Sequence, residues 1–285
     1  MEKMCWANTD NFDESEFVIV GIPDESQSHA LRKGTEEAPF KIRQISNMRD
    51  SYERDGKISL GRPLQGTEKK VHDIGNVSRD KIDEIYGKIF ASSKIPISIG
   101  GDHSITSQII NSMGKTHEKI SLVYFDAHPD FVSSTTNYYG SVITDILSDI
   151  EIKSSIQIGI RTPEQEELDN IKKYSLQVIT PSDIAEHGIK QIANIISNRL
   201  GDNVYISFDM DCIDPAYAPG VSVPVPIGLN STDAIYLLQK IAERGIIGMD
   251  IMEVCPSFDI KDRTSHLASR IISEVLYSSG ESNLV

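Results

Sequence analysis

Six residues bring carboxylates and imidazoles together at short spacing: Asp126-Ala-His128-Pro-Asp130, Asp209-Met-Asp211, and His103 within Gly100-Gly-Asp-His-Ser104. In an extended segment, side chains two positions apart point the same way, so Asp126, His128 and Asp130 share one side, as do Asp209 and Asp211. Four carboxylates gathered at close range repel one another unless cations lie among them. One divalent ion neutralises only half of that charge, whereas two neutralise all of it, so charge balance favours a binuclear centre. Mostly oxygen donors with two imidazoles and no thiolate suit Mn²⁺ better than Zn²⁺, and the imidazoles argue against Mg²⁺ or Ca²⁺. The expectation is two Mn²⁺ per chain, held by His103, Asp126, His128, Asp130, Asp209 and Asp211. Each cluster alone has an ordinary explanation: a DxD pair is usually a solvated turn or helix cap, and a lone buried His a satisfied core group. Their joint occurrence carries the metal reading. Gly100-Gly101 lacks the GxGxxG or GxxxxGK[ST] spacing of a phosphate cradle and is not read as one.

These residues need a scaffold, and short β-branched runs supply it: Phe17–Gly21, Ile95–Ile99, Ser121–Phe125, Ile156–Ile160, Val204–Phe208 and Gly245–Met249 read as strands. Between and after them lie helix candidates. Asp80 is placed to cap one with Ile82, Ile85, Tyr86, Ile89 and Phe90 on one face, and Leu267, Ile271, Ile272, Val275 and Leu276 mark another. Strands apolar on both faces, alternating with helices, predict an α/β fold with a parallel sheet covered on each side. Ligands of such sheets bind beyond the carboxyl ends of the strands. Four runs lead into polar clusters there: the second into Gly100–Ser104, the third into Asp126–Asp130, the fifth into Asp209–Pro215 and the last into Asp250–Glu253.

Composition narrows the class. In 285 residues, 39% hydrophobic and 25% charged side chains exclude a disordered or fibrous chain, and one domain over 1–285 is expected, since no linker-like stretch divides it. A net charge of −14 opposes binding to a nucleic-acid backbone. Cys5, Cys212 and Cys255 form no CxxC pair, and no apolar run approaches the roughly 20 residues of a membrane span, so a cytoplasmic protein without a membrane partner is expected.

Gly100-Gly-Asp-His-Ser104, Asp126-Ala-His-Pro-Asp130 and Ser207-Phe-Asp-Met-Asp-Cys-Ile-Asp-Pro-Ala-Tyr-Ala-Pro-Gly220 resemble the three signature segments of the ureohydrolases, the arginase and agmatinase family. The resemblance extends to Gly21-Ile-Pro23, Arg32-x-Gly34, Ile42-Arg43, Asp73-x-Gly-Asn-Val77, Gly159-Ile-Arg161 and Asp250-Ile-Met-Glu-Val-Cys-Pro256. It implies a three-layer α/β/α sandwich with a mainly parallel sheet, a dimanganese centre bridged by Asp126 and Asp209, hydrolysis of a small cationic guanidino substrate, and a homo-oligomer, trimer or hexamer. Paired cations lower the pKa of a shared water and present it as a nucleophile. By resemblance Glu253 holds the guanidinium, while Asp130 passes a proton to the departing amine.

The chain also departs from the family's pattern. Tyr139, carried as a catalytic position, stands where many relatives have a proton-transferring His, and a phenol with pKa near 10 is no base at neutral pH. Formimidoylglutamases also lack that His. Cys255 and Val225 replace a frequent Asn and Glu, and His29 on an N-terminal loop is an alternative proton route, weighed against an ordinary solvated His. Asn137 is a candidate substrate contact, although the spacing of Ser133–Asn137 does not match arginase-type recognition of an α-carboxylate. The leading reading is an agmatinase-like enzyme making putrescine and urea. One alternative is a formimidoylglutamase or guanidino-acid hydrolase, which needs a cation such as Arg161 or Arg32 in the pocket; another is a metal-binding homologue with weakened catalysis.

Overall fold

The computed structural model describes residues 2–48, 53–54, 57–58 and 68–280. Ten strands are present among them: β1 Phe17–Gly21, β2 Glu53–Arg54, β3 Lys57–Ile58, β4 Val71–Asn76, β5 Ile95–Ile99, β6 Ser121–Phe125, β7 Ile156–Ile158, β8 Gln177–Ile179, β9 Val204–Asp209 and β10 Gly248–Met252. Eight of them form a wholly parallel sheet in the order β4-β1-β5-β10-β9-β6-β7-β8, and β2 and β3 pair as a separate antiparallel ribbon.

Alternate residues of the central strands feed two cores, as expected of a sheet covered on both sides. On one face, Ile19, Ile97, Val123, Ile206, Phe208 and Ile251 pack with side chains of α1 (Ala38–Met48), α7 (Ile189–Arg199), α8 (Ser231–Ala242) and α9 (Arg263–Ser278). On the other, Val18, Val20, Leu122, Tyr124 and Tyr205 pack with α2 (Ile82–Ala91), α3 (Ile105–Met113) and α4 (Val142–Asp145). The result is three layers, α/β/α. Two further helices, α5 (Gln165–Tyr174) and α6 (Pro181–His187), precede and follow β8 in the sequence. No helix among the described residues is long and apolar enough to cross a membrane.

The apolar runs mark the strands closely, with one displacement that matters. The last run does not stop at Met249: β10 begins at Gly248 and runs to Met252, which puts Asp250 inside the sheet. There its carboxylate accepts hydrogen bonds from Tyr205, Ser207 and Thr106 and is fully buried. Strands β4 and β8 were not marked by the patterning, because β4 carries His72, Asp73 and Gly75 and β8 is only three residues long. Asp80 does not cap α2; it lies within a leading 3₁₀ turn, Arg79–Lys81, that Ser78 precedes. Two residues quoted for the family resemblance are structural. Arg43 is buried and forks onto Asp73, Nε and Nη2 each 2.9 Å from a carboxylate oxygen, tying α1 to β4.

Candidate metal centre

The four strands that lead into polar clusters, β5, β10, β9 and β6, are the adjacent central strands of the sheet. Being parallel, they deliver their clusters to one edge. His103 follows β5, Asp126, His128 and Asp130 follow β6, Asp209 ends β9, and Glu253 follows β10.

Nδ1 of His103 lies 2.9 Å from Asp126 Oδ2, 3.1 Å from Asp209 Oδ2 and 3.4 Å from Asp130 Oδ2. Nδ1 of His128 lies 3.3 Å from Asp126 Oδ1 and 3.1 Å from Asp211 Oδ2. Two groups thus have the spacing to hold a cation, His103–Asp126–Asp130 and Asp126–His128–Asp211, with Asp126 common to both and Asp209 beside the first. The structure brings all six expected ligands together, but not by strand alternation. Asp130 follows a turn and has φ +47°, and Asp211 sits in a single 3₁₀ turn, Met210–Cys212, capped by Asp209.

Backbone amides orient these carboxylates. His128 N–H donates to Asp126 Oδ1 (2.6 Å), Asp211 N–H to Asp209 Oδ1 (2.7 Å) and Ala127 N–H to Asp211 Oδ1 (3.0 Å). Each leaves one oxygen for another partner. That of Asp126, Oδ2, is buried and has no hydrogen-bond partner. A single ring nitrogen offers one proton or one lone pair and cannot satisfy the three carboxylates around His103. Divalent cations can, and the donor set of imidazole nitrogens and carboxylate oxygens fits them. The charge already distorts titration. Burial opposes protonation of His103 and His128, but the Asp126, Asp209 and Asp211 carboxylates outweigh it and raise both imidazoles well above their ordinary range. Burial, with neighbouring carboxylates, pushes Asp130 and Asp209 well up.

Behind His103, Nε2 lies 2.9 Å from the Ser207 hydroxyl, which donates to Asp250. This chain fixes the ring so that Nδ1 faces the carboxylates. Tyr124 of β6 stacks on the same ring, centroids 4.7 Å apart, and donates its hydroxyl to Asp130 Oδ2 at 2.5 Å.

Glu253 lies against the cluster with φ +64°. It is buried; its Oε1 accepts the His103 N–H at 2.8 Å, and its Oε2 accepts the Ser222 hydroxyl. Burial, with Asp102 nearby, pushes its carboxyl up to about 7. A cleft of about 360 Å³ opens from His128 and Asp130 between Tyr138, Tyr139, Thr162, Glu164, Glu167 and Val223.

A sequence model described as the Arginase family matches residues 15–277. The chain belongs to the arginase family. It is 34% identical over 283 residues to an agmatinase of Neisseria meningitidis serogroup C, covering 93% of this chain and 88% of that one. Its fold is similar to the solved agmatine ureohydrolase of Thermoplasma volcanium, with TM-score 0.83, 29% identity and coverage of 99% and 94% of the two chains. Proclavaminate amidino hydrolase from Streptomyces clavuligerus has TM-score 0.82 and 26% identity, with 94% and 93% covered. The chain is therefore a ureohydrolase of a metal-dependent hydrolase family that acts on guanidino compounds.

Within this arginase-family cleft, the residues outside the ligand set divide. Tyr139 lines it. Arg161 does not present a free guanidinium: Nε donates to Pro226 O, Nη1 to Gly159 O and Cys212 O, and Nη2 to Asp211 O and Val225 O. Asn137 lies outside the cleft lining, exposed at φ +60°, its amide on the Thr136 hydroxyl. Arg32 sits over the Phe258 ring, 5.0 Å from its centroid. Cys255 donates its thiol to Lys33 O, and Val225 contributes its carbonyl to Arg161. Exposed His29 stacks on Tyr138 at 5.0 Å and meets Tyr139 edge-on at 6.0 Å, at the rim. Tyr138, Glu164, Glu167, Ser222 and Tyr124 escaped the sequence reading. Only the paired tyrosines in a Ser/Thr-rich loop carried a local signal; the others reach the site through tertiary contacts.

Proposed function

We propose that this ureohydrolase is an agmatinase, converting agmatine and water to putrescine and urea at a binuclear manganese centre held by His103, Asp126, His128, Asp130, Asp209 and Asp211. One observation carries the substrate assignment. Among the described residues lining the cleft there is no Arg or Lys, while Asp130, Glu164 and Glu167 are acidic. Agmatine, with a guanidinium at one end and an ammonium at the other, suits that lining; a carboxylate-tailed guanidino acid finds no counter-charge. Arg161 is engaged with five carbonyl contacts, and Arg32, over the Phe258 ring, is not among the described residues lining the cleft, which supports a substrate without a carboxylate.

When bound, the paired ions supply a water activated for attack at neutral pH. Glu253, beside the ligands, accepts the guanidinium N–H groups and holds the central carbon toward the cluster. Asp130 accepts a proton from the attacking water and returns it to the alkyl nitrogen as its bond to the guanidinium carbon breaks, so urea and the amine leave together balanced in protons. The acidic cleft orients the cationic tail outward.

The test is Mn²⁺ reconstitution followed by product detection on agmatine, arginine, 4-guanidinobutyrate and formiminoglutamate. Agmatine is expected to be turned over fastest, with urea released. Glu253→Gln is expected to keep its metal yet lose about 10²-fold or more of kcat/KM, because the charge partner of the guanidinium is gone. Preference for either carboxylate-bearing substrate would refute the assignment.

A further inference from the structure

Three of the four carboxylates at the centre are oriented by a backbone N–H on one oxygen: Asp126 by His128, Asp209 by Asp211 and Asp211 by Ala127. Asp130 has no such amide among the described residues. Its donor is the hydroxyl of Tyr124, 2.5 Å from Oδ2, and it is held in the left-handed region at φ +47°. Oδ2 is also the oxygen that faces His103 Nδ1, at 3.4 Å. Tyr124 is itself immobilised. It lies inside β6, is fully buried, and stacks nearly parallel on the His103 ring with an interplanar angle of 3°. From that position Oη stands 2.5 Å from Asp130 and 3.1 Å from His103 Nδ1, touching two ligands at once.

We infer that Tyr124 is a positioning residue: its hydroxyl pins Asp130 Oδ2 beside His103 on the metal side and leaves Oδ1 as the oxygen turned to the cleft. A carboxylate free to rotate exchanges its two oxygens, so a shuttle that must hold a cation with one and handle a proton with the other needs an external donor to tell them apart. Asp126 and Asp209 get that donor from their own turns and Asp211 from Ala127 after β6, but Asp130 leaves its turn in a backbone conformation that places no amide on it. A rigid phenol from the preceding strand takes over. The inference rests on the hydrolase reading for the role of Oδ1, and on the donor geometry alone for the effect on metal binding.

The experiment uses full-length protein stripped of metal and titrated with Mn²⁺, free ion being followed by electron paramagnetic resonance, alongside kcat and KM on agmatine. Tyr124→Phe keeps the ring stacked on His103 and removes only the hydroxyl. It is expected to weaken one of the two Mn²⁺ ions about tenfold or more with the other unchanged, and to lower kcat about tenfold or more with KM within twofold, in the range of one lost charge-assisted hydrogen bond. Wild-type Mn²⁺ affinity in a folded Tyr124→Phe protein overturns the inference, as does equal weakening of both ions, which would mean a merely structural role. If Tyr124→Phe does not fold, 3-fluorotyrosine placed at 124, which retains the donor, decides: wild-type Mn²⁺ affinity and kcat support the inference, and a tenfold loss of either overturns it. If the wild type hydrolyses no guanidino compound, the agmatinase reading fails while the Mn²⁺ titration still judges Tyr124.

Discussion

Tyr139 lines the cleft among the metal-facing groups, yet its phenol is poorly suited to take a proton there. Burial, with the carboxylates of Glu253 and Asp130 facing it, pushes its pKa above the ordinary value. In the agmatinase reading, proton handling therefore falls to Asp130. Tyr139→His places an imidazole that titrates near pH 6.5 in the same lining. It is expected to raise kcat on agmatine at neutral pH, by up to the roughly 10²-fold that general acid–base catalysis commonly supplies. A pH–rate profile is the check, and a profile identical to wild type would show that this position does not reach the chemistry. His29 offers a contrast at the same rim. Its stacking on Tyr138 makes it part of the aromatic wall, exposed to water, rather than a group aimed at the ligands.

At the scale of elements, the ends of strands matter more than their middles. The ligand-bearing segments follow β5, β6 and β9, Glu253 follows β10, and two of these functional carboxylates, Asp130 and Glu253, take left-handed backbone conformations that cost energy for non-glycine residues. Surrounding contacts hold them there: Glu253 N–H donates to Gly101 O at 2.9 Å, and Ile143 N–H to Asp130 O at 2.9 Å. Gly101 also lies hard against the Asp24 backbone, where a Cβ would come 1.9 Å from Asp24 O. Gly159, after β7, has φ +99°, and a Cβ there would meet Asp126 O at 2.8 Å. Arg161 staples the end of β7 to the Asp211–Cys212 turn and to the Val225–Pro226 loop. Arg161→Lys loses the planar fork that reaches several carbonyls at once. The expected result is a destabilisation of about 2 kcal/mol in thermal or denaturant unfolding, with the ratio of activities on agmatine and 4-guanidinobutyrate unchanged. A shift in that ratio would return Arg161 to the substrate.

For the whole molecule, the parallel sheet concentrates negative charge at one edge of an already acidic chain of net charge −14. Ions that bind the folded state and not the unfolded one stabilise it by mass action, by about 2.7 kcal/mol per site at a hundredfold excess over Kd. Chelation is therefore expected to lower Tm by several degrees, with recovery on adding Mn²⁺ and not on adding Mg²⁺. Differential scanning calorimetry with and without chelator is the measurement. A Tm indifferent to chelation and to Mn²⁺ would mean that the carboxylate cluster is balanced by its own protons.

Residue types and spacing alone were enough to mark the parallel α/β architecture and the six clustered carboxylates and imidazoles, because strand hydrophobicity and ligand motifs are local properties written within a few consecutive positions. The family resemblance came from the same short segments. What they could not convey is which partner each of those groups meets. Asp250 looked like the start of a strand-end cluster, and only the register of β10 against β9 and β5 placed it under the sheet as the acceptor for Ser207. Arg161 looked available to a substrate until five backbone carbonyls from separated segments converged on it. Tyr124 read as one more core residue of β6, and its hydroxyl acquires meaning only because β5, separated from β6 by β10 and β9, brings His103 over its ring. Hydrogen-bond and ion-pair partners far apart in sequence are chosen by strand order and loop path, so these assignments belong to the tertiary structure.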